Sequence, residues 1–287
     1  MPVATPVVAA TPVFPPASYS TDLLVDTMWL MEHLADPQLK LIELSEDAAY
    51  MSGHLPSAGH LRWEDLKLVD SNSATLAAWR DDVQARLGAL GITPADPVVV
   101  YDDGSLWAAR VWWILEALGH RDKRVLDGGK PAWTAAGEPL STDSVSPAPA
   151  SYEGTPNLAA LATAEYVASR LGAPDLALVD ARRPEEYSGQ DNDGTARGGH
   201  IPGAVNIPFD QVAIPGSPRY YLPPDKLAEL YVSRGVTPDK EVIAYCATGV
   251  RSAVTYFSLR LLGYPRVLLY SASWAEWGNR LDLPVAT

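Results

Sequence analysis

The sequence predicts an α/β fold in which one structural unit occurs twice, each unit being a mainly parallel sheet with helices on both faces. Two observations lead to this prediction. Short apolar strands alternate with helical stretches along most of the 287 residues, an order typical of parallel sheets that are covered by helices. The same motifs also recur at a constant distance in the second half of the chain, which indicates a duplication.

The repeat is clearest between residues 91–133 and 235–277, which align without a gap at an offset of 144 residues. In both segments a Gly-x-Thr-Pro turn precedes an apolar strand, and the helix after that strand ends in Leu-Gly. A Gly-His motif followed by Leu-Pro or Ile-Pro extends the match, beginning at Gly53 in one copy and at Gly199 in the other. The second copy carries about nine extra polar, glycine-rich residues within 189–198, which we expect to form a surface loop.

Strands are predicted where short apolar runs end in a polar residue, and helices where longer amphipathic stretches follow. Ligands of such folds bind beyond the carboxyl ends of the strands. The predicted strands are residues 41–43, 98–101, 178–180 and 242–245, and the predicted helices are 163–171, 225–233 and 252–262.

Composition divides the chain into four predicted segments. Residues 1–20 are rich in Pro, Ala and Val without the basic start of a signal peptide, and we expect a flexible N-terminal arm. Residues 21–140 and 156–287 are the two units, each close to the usual size of a domain. Residues 141–155 join them, because turn-forming residues without periodicity are typical of a linker.

Charge and residue counts exclude several classes of function. The net charge of −13 argues against a nucleic-acid surface. No apolar run approaches the ~18 residues of a membrane span. A single cysteine excludes an intrachain disulfide and suits a reducing, cytoplasmic location. The five histidines show no metal-ligand spacing, so we expect neither a metal nor a cofactor.

The chemistry is expected at Cys246, which directly follows the predicted strand 242–245. A short loop from Cys246 to Arg251 then leads into the predicted helix 252–262. Such a loop directs several backbone N–H groups and the helix N-terminus at one point, which favours an anion there. A thiol at that point is shifted toward the thiolate, so we predict that Cys246 is a nucleophile.

The loop itself is expected to hold the anionic sulfur without a metal. Gly249 lets the backbone turn tightly, and Arg251 is expected to face the anion because a guanidinium matches oxyanions well. The N–H donors are expected to come from the residues of the loop and the helix start, namely Ala247, Thr248, Gly249, Val250 and Ser252.

Three further charged residues are assigned roles. Arg197, in the inserted loop, is a second candidate for binding an anionic substrate group. Asp180 and Arg182 follow the strand 178–180, and we expect a structural ion pair that supports the active loop from below. The two histidines of the repeated Gly-His motif, His54 and His200, are expected to make local hydrogen bonds, since both copies contain one.

The first copy lacks the thiol. Asp102 stands at the position of Cys246, and Trp107 stands at that of Arg251. A carboxylate is a poor soft nucleophile, and two adjacent acids repel an anionic substrate. We therefore expect the first unit to be a scaffold, while a second active site that uses Asp102 or Asp103 remains an alternative.

Taken together, these motifs resemble the tandem-domain rhodanese family over nearly the whole chain. The resemblance implies an inactive N-terminal rhodanese-like domain and a catalytic C-terminal one. It also implies transfer of a sulfane sulfur from thiosulfate, through a persulfide on Cys246, to cyanide, a thiol or a thioredoxin-like dithiol protein. The matching segments are residues 180–182, 186–187, 199–204, 245–251 and 273–277.

Two departures from the family and one spacing bear on the alternatives. Glu186 stands where many members have a substrate-contacting arginine, which weakens the case for 3-mercaptopyruvate as donor. Ser271 and Ala272 stand where members of the family often have Asp-Gly, just before the Ser-Trp of the last motif. In cysteine-dependent phosphatases, five residues separate the cysteine from the arginine. Four residues separate Cys246 from Arg251, which argues against a phosphatase. A 3-mercaptopyruvate sulfurtransferase and a non-enzymatic persulfide carrier or sensor remain as alternatives.

Overall fold

The computed structural model describes Tyr19 and residues 22–287. Apart from Tyr19, the predicted N-terminal arm of residues 1–20 lies outside the described residues. Within the described part there are two separate parallel sheets, one in each half of the chain. No helix in this part is long and apolar enough to cross a membrane.

The sheet of the first unit has the strand order β1-β5-β4-β2-β3, and all of its pairings are parallel. Its strands are β1 (Leu24–Val25), β2 (Lys40–Leu44), β3 (Gly59–Leu61), β4 (Val98–Asp102) and β5 (Lys123–Leu126). Its helices are α1 (Thr27–His33), α2 (Asp47–Met51), α3 (Ser73–Ala89), α4 (Ala108–Ala117) and α5 (Gly129–Ala135), with a 3₁₀ turn at Trp63–Leu66.

The sheet of the second unit has the order β7-β6-β8-β9 and is also parallel. Its strands are β6 (Leu176–Asp180), β7 (Ala204–Asn206), β8 (Glu241–Tyr245) and β9 (Val267–Leu269). Its helices are α6 (Ala164–Arg170), α7 (Pro184–Tyr187), α8 (Pro224–Val232), α9 (Val250–Leu261) and α10 (Ser273–Trp277), with 3₁₀ turns at Leu158–Ala160 and Phe209–Val212.

The predicted strands and helices are present, and the α/β fold of two similar units is confirmed. One boundary differs in a way that affects the site. Helix α9 begins at Val250, two residues before the predicted start, because Gly249 adopts a left-handed conformation (φ +84°) and caps the helix. The loop therefore ends at Gly249, and Arg251 lies in the first helical turn.

Helices α4 and α9, which occupy equivalent positions in the two units, pack against each other. The ring of Trp112 on α4 meets Phe257 on α9 edge to face, with ring centroids 4.9 Å apart. One continuous apolar core includes buried residues of both units. The first unit thus packs directly against the helix that follows Cys246.

The repeated histidines support local structure in both copies. The ring of His54 contacts the carbonyl of Leu55 through Nδ1 (3.0 Å) and that of Asp143 through Nε2 (3.1 Å). His200 stacks on Tyr187, with ring centroids 3.7 Å apart, and its Nδ1 lies 3.0 Å from the Tyr187 carbonyl oxygen. These are the local hydrogen bonds that the recurrence of the motif predicts.

The segment between α5 and the second unit is packed against the first unit, although it contains no helix or strand. Ala150 N donates to the Gly88 carbonyl (2.8 Å), and Gly154 N donates to the side chain of Gln84 (2.9 Å). The Tyr152 ring is buried, and its hydroxyl lies 3.0 Å from Nδ1 of His120. The linker is therefore a strap held by a buried aromatic side chain.

Tyr152→Ala is expected to lower the free energy of unfolding by about 3 kcal/mol, because it leaves a cavity and an unpaired His120. Tyr152→Phe keeps the ring and removes only the hydroxyl, for an expected loss of about 1 kcal/mol. Urea unfolding followed by tryptophan fluorescence measures both values. Equal losses for the two variants would contradict the packing role of the ring.

Candidate active site

Cys246 lies at the carboxyl end of β8, an interior strand of the second sheet. This is the edge at which parallel α/β sheets bind ligands. The side chain is fully buried. Gly249 N donates to its Sγ at 3.1 Å, and Ser252 Oγ lies 3.4 Å from the same atom. The start of α9 thus directs donors at the sulfur.

These donors change the acidity of the thiol. Burial disfavours the thiolate and by itself raises the pKa of Cys246. The positive charge of Arg251, the hydroxyl and N–H of Ser252, and the N–H of Thr248 outweigh burial, and together they hold the pKa of Cys246 below its ordinary value. The site therefore favours an anionic sulfur.

The loop residues named from the sequence divide into two groups. Thr248, Gly249 and Ser252 direct polar groups at Sγ. Ala247 instead accepts a hydrogen bond from Ala275 N at 2.9 Å through its carbonyl, and Val250 is buried at the helix start. Ala247 and Val250 thus shape the loop, while the other three hold the sulfur.

Only glycine fits at position 249. A Cβ there would lie 2.5 Å from the Ser271 carbonyl oxygen and 3.0 Å from Nη1 of Arg110. The left-handed backbone adds strain for any other residue. Sequence reasoning identified the glycine but missed Arg110, which belongs to the first unit.

Ser273 is a second residue that sequence reasoning did not assign to the site. Its Oγ accepts a hydrogen bond from Cys246 N (3.1 Å) and donates one to the Tyr270 carbonyl (2.8 Å). Its backbone has φ +56°, close to the +55° of Gly129 at the equivalent position. A non-glycine residue in this conformation costs about 1 kcal/mol. The available signal was a serine where the other copy has glycine.

Arg251 is held by Glu186. Its Nη1 and Nη2 donate to the two carboxylate oxygens of Glu186, each at 2.7 Å. Both terminal nitrogens of Arg251 are therefore bound to Glu186 in this structure, and the contact of Arg251 with a substrate anion stays a prediction. Its charge still acts on the thiol, since it lowers the pKa of Cys246.

The Glu186 carboxylate is fully buried and also accepts from the backbone N (3.0 Å) and Nε (2.9 Å) of Arg183. Burial by itself raises its pKa, but the hydrogen bonds and charges of Arg251 and Arg183 outweigh that effect and lower it to about 2. Glu186 is therefore ionised at neutral pH and offsets the charge of Arg251.

The guanidinium of Arg197 contacts carbonyls of the C-terminal segment, and its contact with a substrate stays a prediction. Its Nη1 donates to the Leu283 carbonyl (2.8 Å), and its Nη2 donates to the carbonyls of Trp277 (2.8 Å) and Arg280. Its Nε lies 3.4 Å from the Gly278 carbonyl oxygen. Carbonyls of the C-terminal segment thus occupy every nitrogen of the guanidinium.

Asp180 and Arg182 form the ion pair expected from the sequence. The Nε of Arg182 lies 3.0 Å from Oδ1 of Asp180, its Nη2 lies 2.7 Å from Oδ2, and both side chains are fully buried. The guanidinium also lies over the Trp274 ring, 4.4 Å from the centroid. This pair connects the end of β6 to α10, whose first residues hold the backbone of Cys246.

The equivalent loop of the first unit contains its own anion. The two oxygens of the Asp102 carboxylate accept from Gly104 N and Ala108 N, each at 2.8 Å. The group is buried, and burial raises its pKa against these hydrogen bonds. Because the carboxylate fills the loop that a sulfur occupies in the second unit, this loop offers no nucleophile to solvent. Asp103 is exposed beside it.

In the described part of the chain, no group of three or more His, Cys, Asp or Glu side chains is arranged to hold a metal ion. The donors that surround Cys246 are N–H groups and hydroxyls, which hold anions rather than cations. The site therefore consists of a buried thiol with a lowered pKa, to which neighbouring groups donate hydrogen bonds.

Comparisons with known proteins agree with this geometry. The sequence matches the family described as "Rhodanese-like domain" over residues 26–136 and 163–280. It is 39% identical to a thiosulfate sulfurtransferase of Pseudomonas aeruginosa, over 92% of this chain and 96% of that protein. It is 38% identical to a thiosulfate sulfurtransferase of Azotobacter vinelandii, over 93% and 97%. A third relative is the sulfur carrier protein TtuD of Thermus thermophilus, at 34% identity over 92% and 96%.

Solved structures show the same fold. An anaerobic ergothioneine biosynthesis enzyme from Chlorobium limicola superposes with a TM-score of 0.83 at 24% identity, over 93% of this chain and 70% of that one. The wild-type structure of EanB gives a TM-score of 0.82 at 24% identity, over 93% and 69%. At this identity the likeness concerns the fold alone.

The thiol of Cys246 is expected to alkylate with a pH midpoint below the ordinary ~8.5, because its pKa is lowered in the folded protein. The measurement is the pH dependence of the iodoacetamide reaction rate, followed by mass spectrometry. The same chain in urea is the control and should show the ordinary midpoint. A folded midpoint at or above that of the unfolded chain would contradict the role of the loop.

Proposed function

This chain belongs to the rhodanese family of sulfurtransferases, and we propose that it moves the outer sulfur of thiosulfate to a thiophilic acceptor through a persulfide on Cys246. The observation that carries the proposal is the hydrogen bond from Gly249 N to Sγ of Cys246, at 3.1 Å, within a loop at the carboxyl end of β8. A thiol held by such donors is suited to become an anionic nucleophile.

In the first step, the Cys246 thiolate attacks the outer sulfur of thiosulfate. A new S–S bond forms, the original S–S bond of the donor breaks, and sulfite leaves with the electron pair. The product is a persulfide with its negative charge on the terminal sulfur. The N–H groups that point into the loop, together with the Ser252 hydroxyl, stabilise that charge.

In the second step, the acceptor attacks the terminal sulfur and the Cys246 thiolate leaves. Cyanide gives thiocyanate, and a thiol gives a persulfide of its own. No net oxidation of the protein occurs, so the cycle needs no redox cofactor. The cytoplasm is the proposed location because the thiolate must stay reduced between turnovers, and a thioredoxin-like dithiol protein is a suitable acceptor there.

The charges around Arg251 favour a donor that needs no free guanidinium. A carboxylate donor such as 3-mercaptopyruvate requires a cation to bind its carboxylate. The nearest guanidinium on α9, that of Arg251, already makes two hydrogen bonds to Glu186. The Asp193 carboxylate of the inserted loop adds a further negative charge that acts on Arg251. Thiosulfate has no carboxylate to bind, so it fits better.

A non-enzymatic persulfide carrier is the second candidate function. Two observations favour it: the thiol is fully buried, and one relative of the chain is named a sulfur carrier protein. A buried persulfide is protected from small thiols and can be passed to a partner that opens the loop. The carrier and the enzyme share the first step and differ only in the acceptor.

The proposed activity is tested by incubating the protein with thiosulfate and cyanide and measuring thiocyanate. Cys246→Ser is the control, and its rate should fall to the uncatalysed value because the nucleophile is lost. 3-Mercaptopyruvate in a parallel reaction tests the alternative donor. Stoichiometric persulfide without turnover, seen by mass spectrometry, would favour the carrier, and absence of both products would reject the proposal.

Glu186→Gln is expected to lower KM for thiosulfate by about fivefold, equivalent to about 1 kcal/mol. Gln retains a hydrogen-bond acceptor for Arg251 but no longer cancels its charge, so more positive charge faces the dianionic donor. Steady-state kinetics with cyanide as acceptor measures the effect.

Glu185→Gln is the matched control for this substitution, because the Glu185 side chain is exposed on the same helix, α7. Its KM should equal that of the unsubstituted protein. A KM for Glu186→Gln that is unchanged or higher would show that the Glu186 charge does not oppose donor binding.

A further inference from the structure

Arg110 is a fully buried arginine of the first unit that reaches the active loop of the second. It lies on α4, the helix that packs against α9. Its Nη1 donates to Oγ of Ser271 at 2.8 Å and lies 3.4 Å from the carbonyl oxygen of Gly249. Gly249 is the residue whose N–H contacts the sulfur of Cys246.

The groups that contact the guanidinium in the described part of the chain are neutral. They are the Ser271 hydroxyl, the Gly249 carbonyl and the Leu66 carbonyl, which accepts from Nη2 at 2.7 Å. The rings of Trp79 and Trp113 also lie near it, with centroids 5.9 and 4.8 Å from Cζ. Burying an ionised group without a counter-charge is costly, even when hydrogen bonds are made.

The duplication shows that this arginine is not needed by the fold of the unit. The position equivalent to Arg110 in the second copy is Val254, at the same offset of 144 residues. The position equivalent to Ser271, its hydrogen-bond partner, is Asp127 in the first copy. The repeated unit can thus carry an acid at this position, but the copy that faces Arg110 carries a neutral serine there.

We propose that Arg110 is a positioning residue whose charge is the counter-charge of the anionic sulfur on Cys246, supplied by the unit that lacks the thiol. This inference rests on the anionic Cys246 that the proposed function requires, since a neutral sulfur needs no counter-charge. It gives the first unit a part in the reaction, because the Arg110 guanidinium and the Cys246 sulfur both contact the Gly249 backbone.

Two cations then act on the sulfur from opposite units, and they differ in how they are compensated. Arg251 of α9 is paired with the buried Glu186, with Asp193 near it. Arg110 has no such carboxylate among its described contacts. Burial lowers the pKa of Arg110 to about 10, so it remains protonated at neutral pH. No carboxylate neutralises the charge of Arg110 among these contacts, so the charge can act on the sulfur.

The first test measures the alkylation midpoint of Cys246 in Arg110→Met and Arg110→Lys. Loss of the cation should raise the midpoint in the Met variant by about one pH unit, the size typical of a nearby opposite charge. The Lys variant should stay closer to the unsubstituted protein. Arg124→Met removes a different first-unit arginine, whose guanidinium lies over Trp29, and should leave the midpoint unchanged.

The second test distinguishes the effect of the Arg110 charge from that of its packing. The protein is unfolded in urea at a pH above the thiol midpoint. Arg110→Met is introduced into the unsubstituted protein and into a Cys246→Ala background, which has no sulfur to ionise. If the sulfur is the counter-charge, Arg110→Met lowers the urea midpoint strongly when Cys246 is present and much less, or not at all, in the Cys246→Ala background. Equal losses in both backgrounds would mean a purely structural role.

The two tests also distinguish this inference from the proposed function. Alkylation and unfolding report on the thiolate without any sulfur transfer, so a shifted midpoint with no thiocyanate would reject the activity and leave the role of Arg110 standing. If Arg110→Met fails to fold, Arg110→Gln takes its place in both experiments. An unchanged midpoint in the neutral variant, with equal losses in urea, would overturn the inference.

Discussion

The structure depends on one constraint: the sulfur of Cys246 is held inside the protein, among hydrogen-bond donors at the carboxyl end of β8. Gly249 N and the Ser252 hydroxyl surround Cys246, because Gly249 turns the chain directly into α9. Burial alone opposes the charge, and the donors reverse its effect on the pKa of the thiol. The first unit meets the same constraint differently, since Asp102 fills the equivalent loop with its own carboxylate.

Charge around this sulfur is balanced by residues that lie far apart in the sequence. Glu186 holds Arg251 with two hydrogen bonds and thereby limits its contact with a donor. Asp180 and Arg182 form a closed pair beneath the site, so their charges cancel locally. Arg110 differs from these because neutral groups surround it in the described structure. In this site, Arg182 and Arg251 are each paired with a carboxylate, whereas the charge of Arg110 can be neutralised by the sulfur.

The two copies of the duplicated unit share one fold but differ in their roles. Both copies keep the strand, the loop and the following helix, and helices α4 and α9 pack against each other between the units. The linker packs Tyr152 onto the first unit. The copy without the thiol therefore packs against the helix that follows Cys246, and its Arg110 contacts the active loop of the other copy.

The sequence alone determined the duplication, the parallel α/β units, the strand that leads to Cys246 and the glycine after it. These features follow from local patterns. The strand and the parallel unit recur in the first copy, whereas Ser105 stands there at the position of Gly249. Only the tertiary structure decided what the charged side chains do. Arg197 binds carbonyls of the C-terminal segment. Arg251 pairs with Glu186, 65 residues away in the sequence, and Arg110 contacts Gly249, 139 residues away. A long flexible side chain takes its partner from whatever the packed units bring near it, and no local spacing encodes that choice.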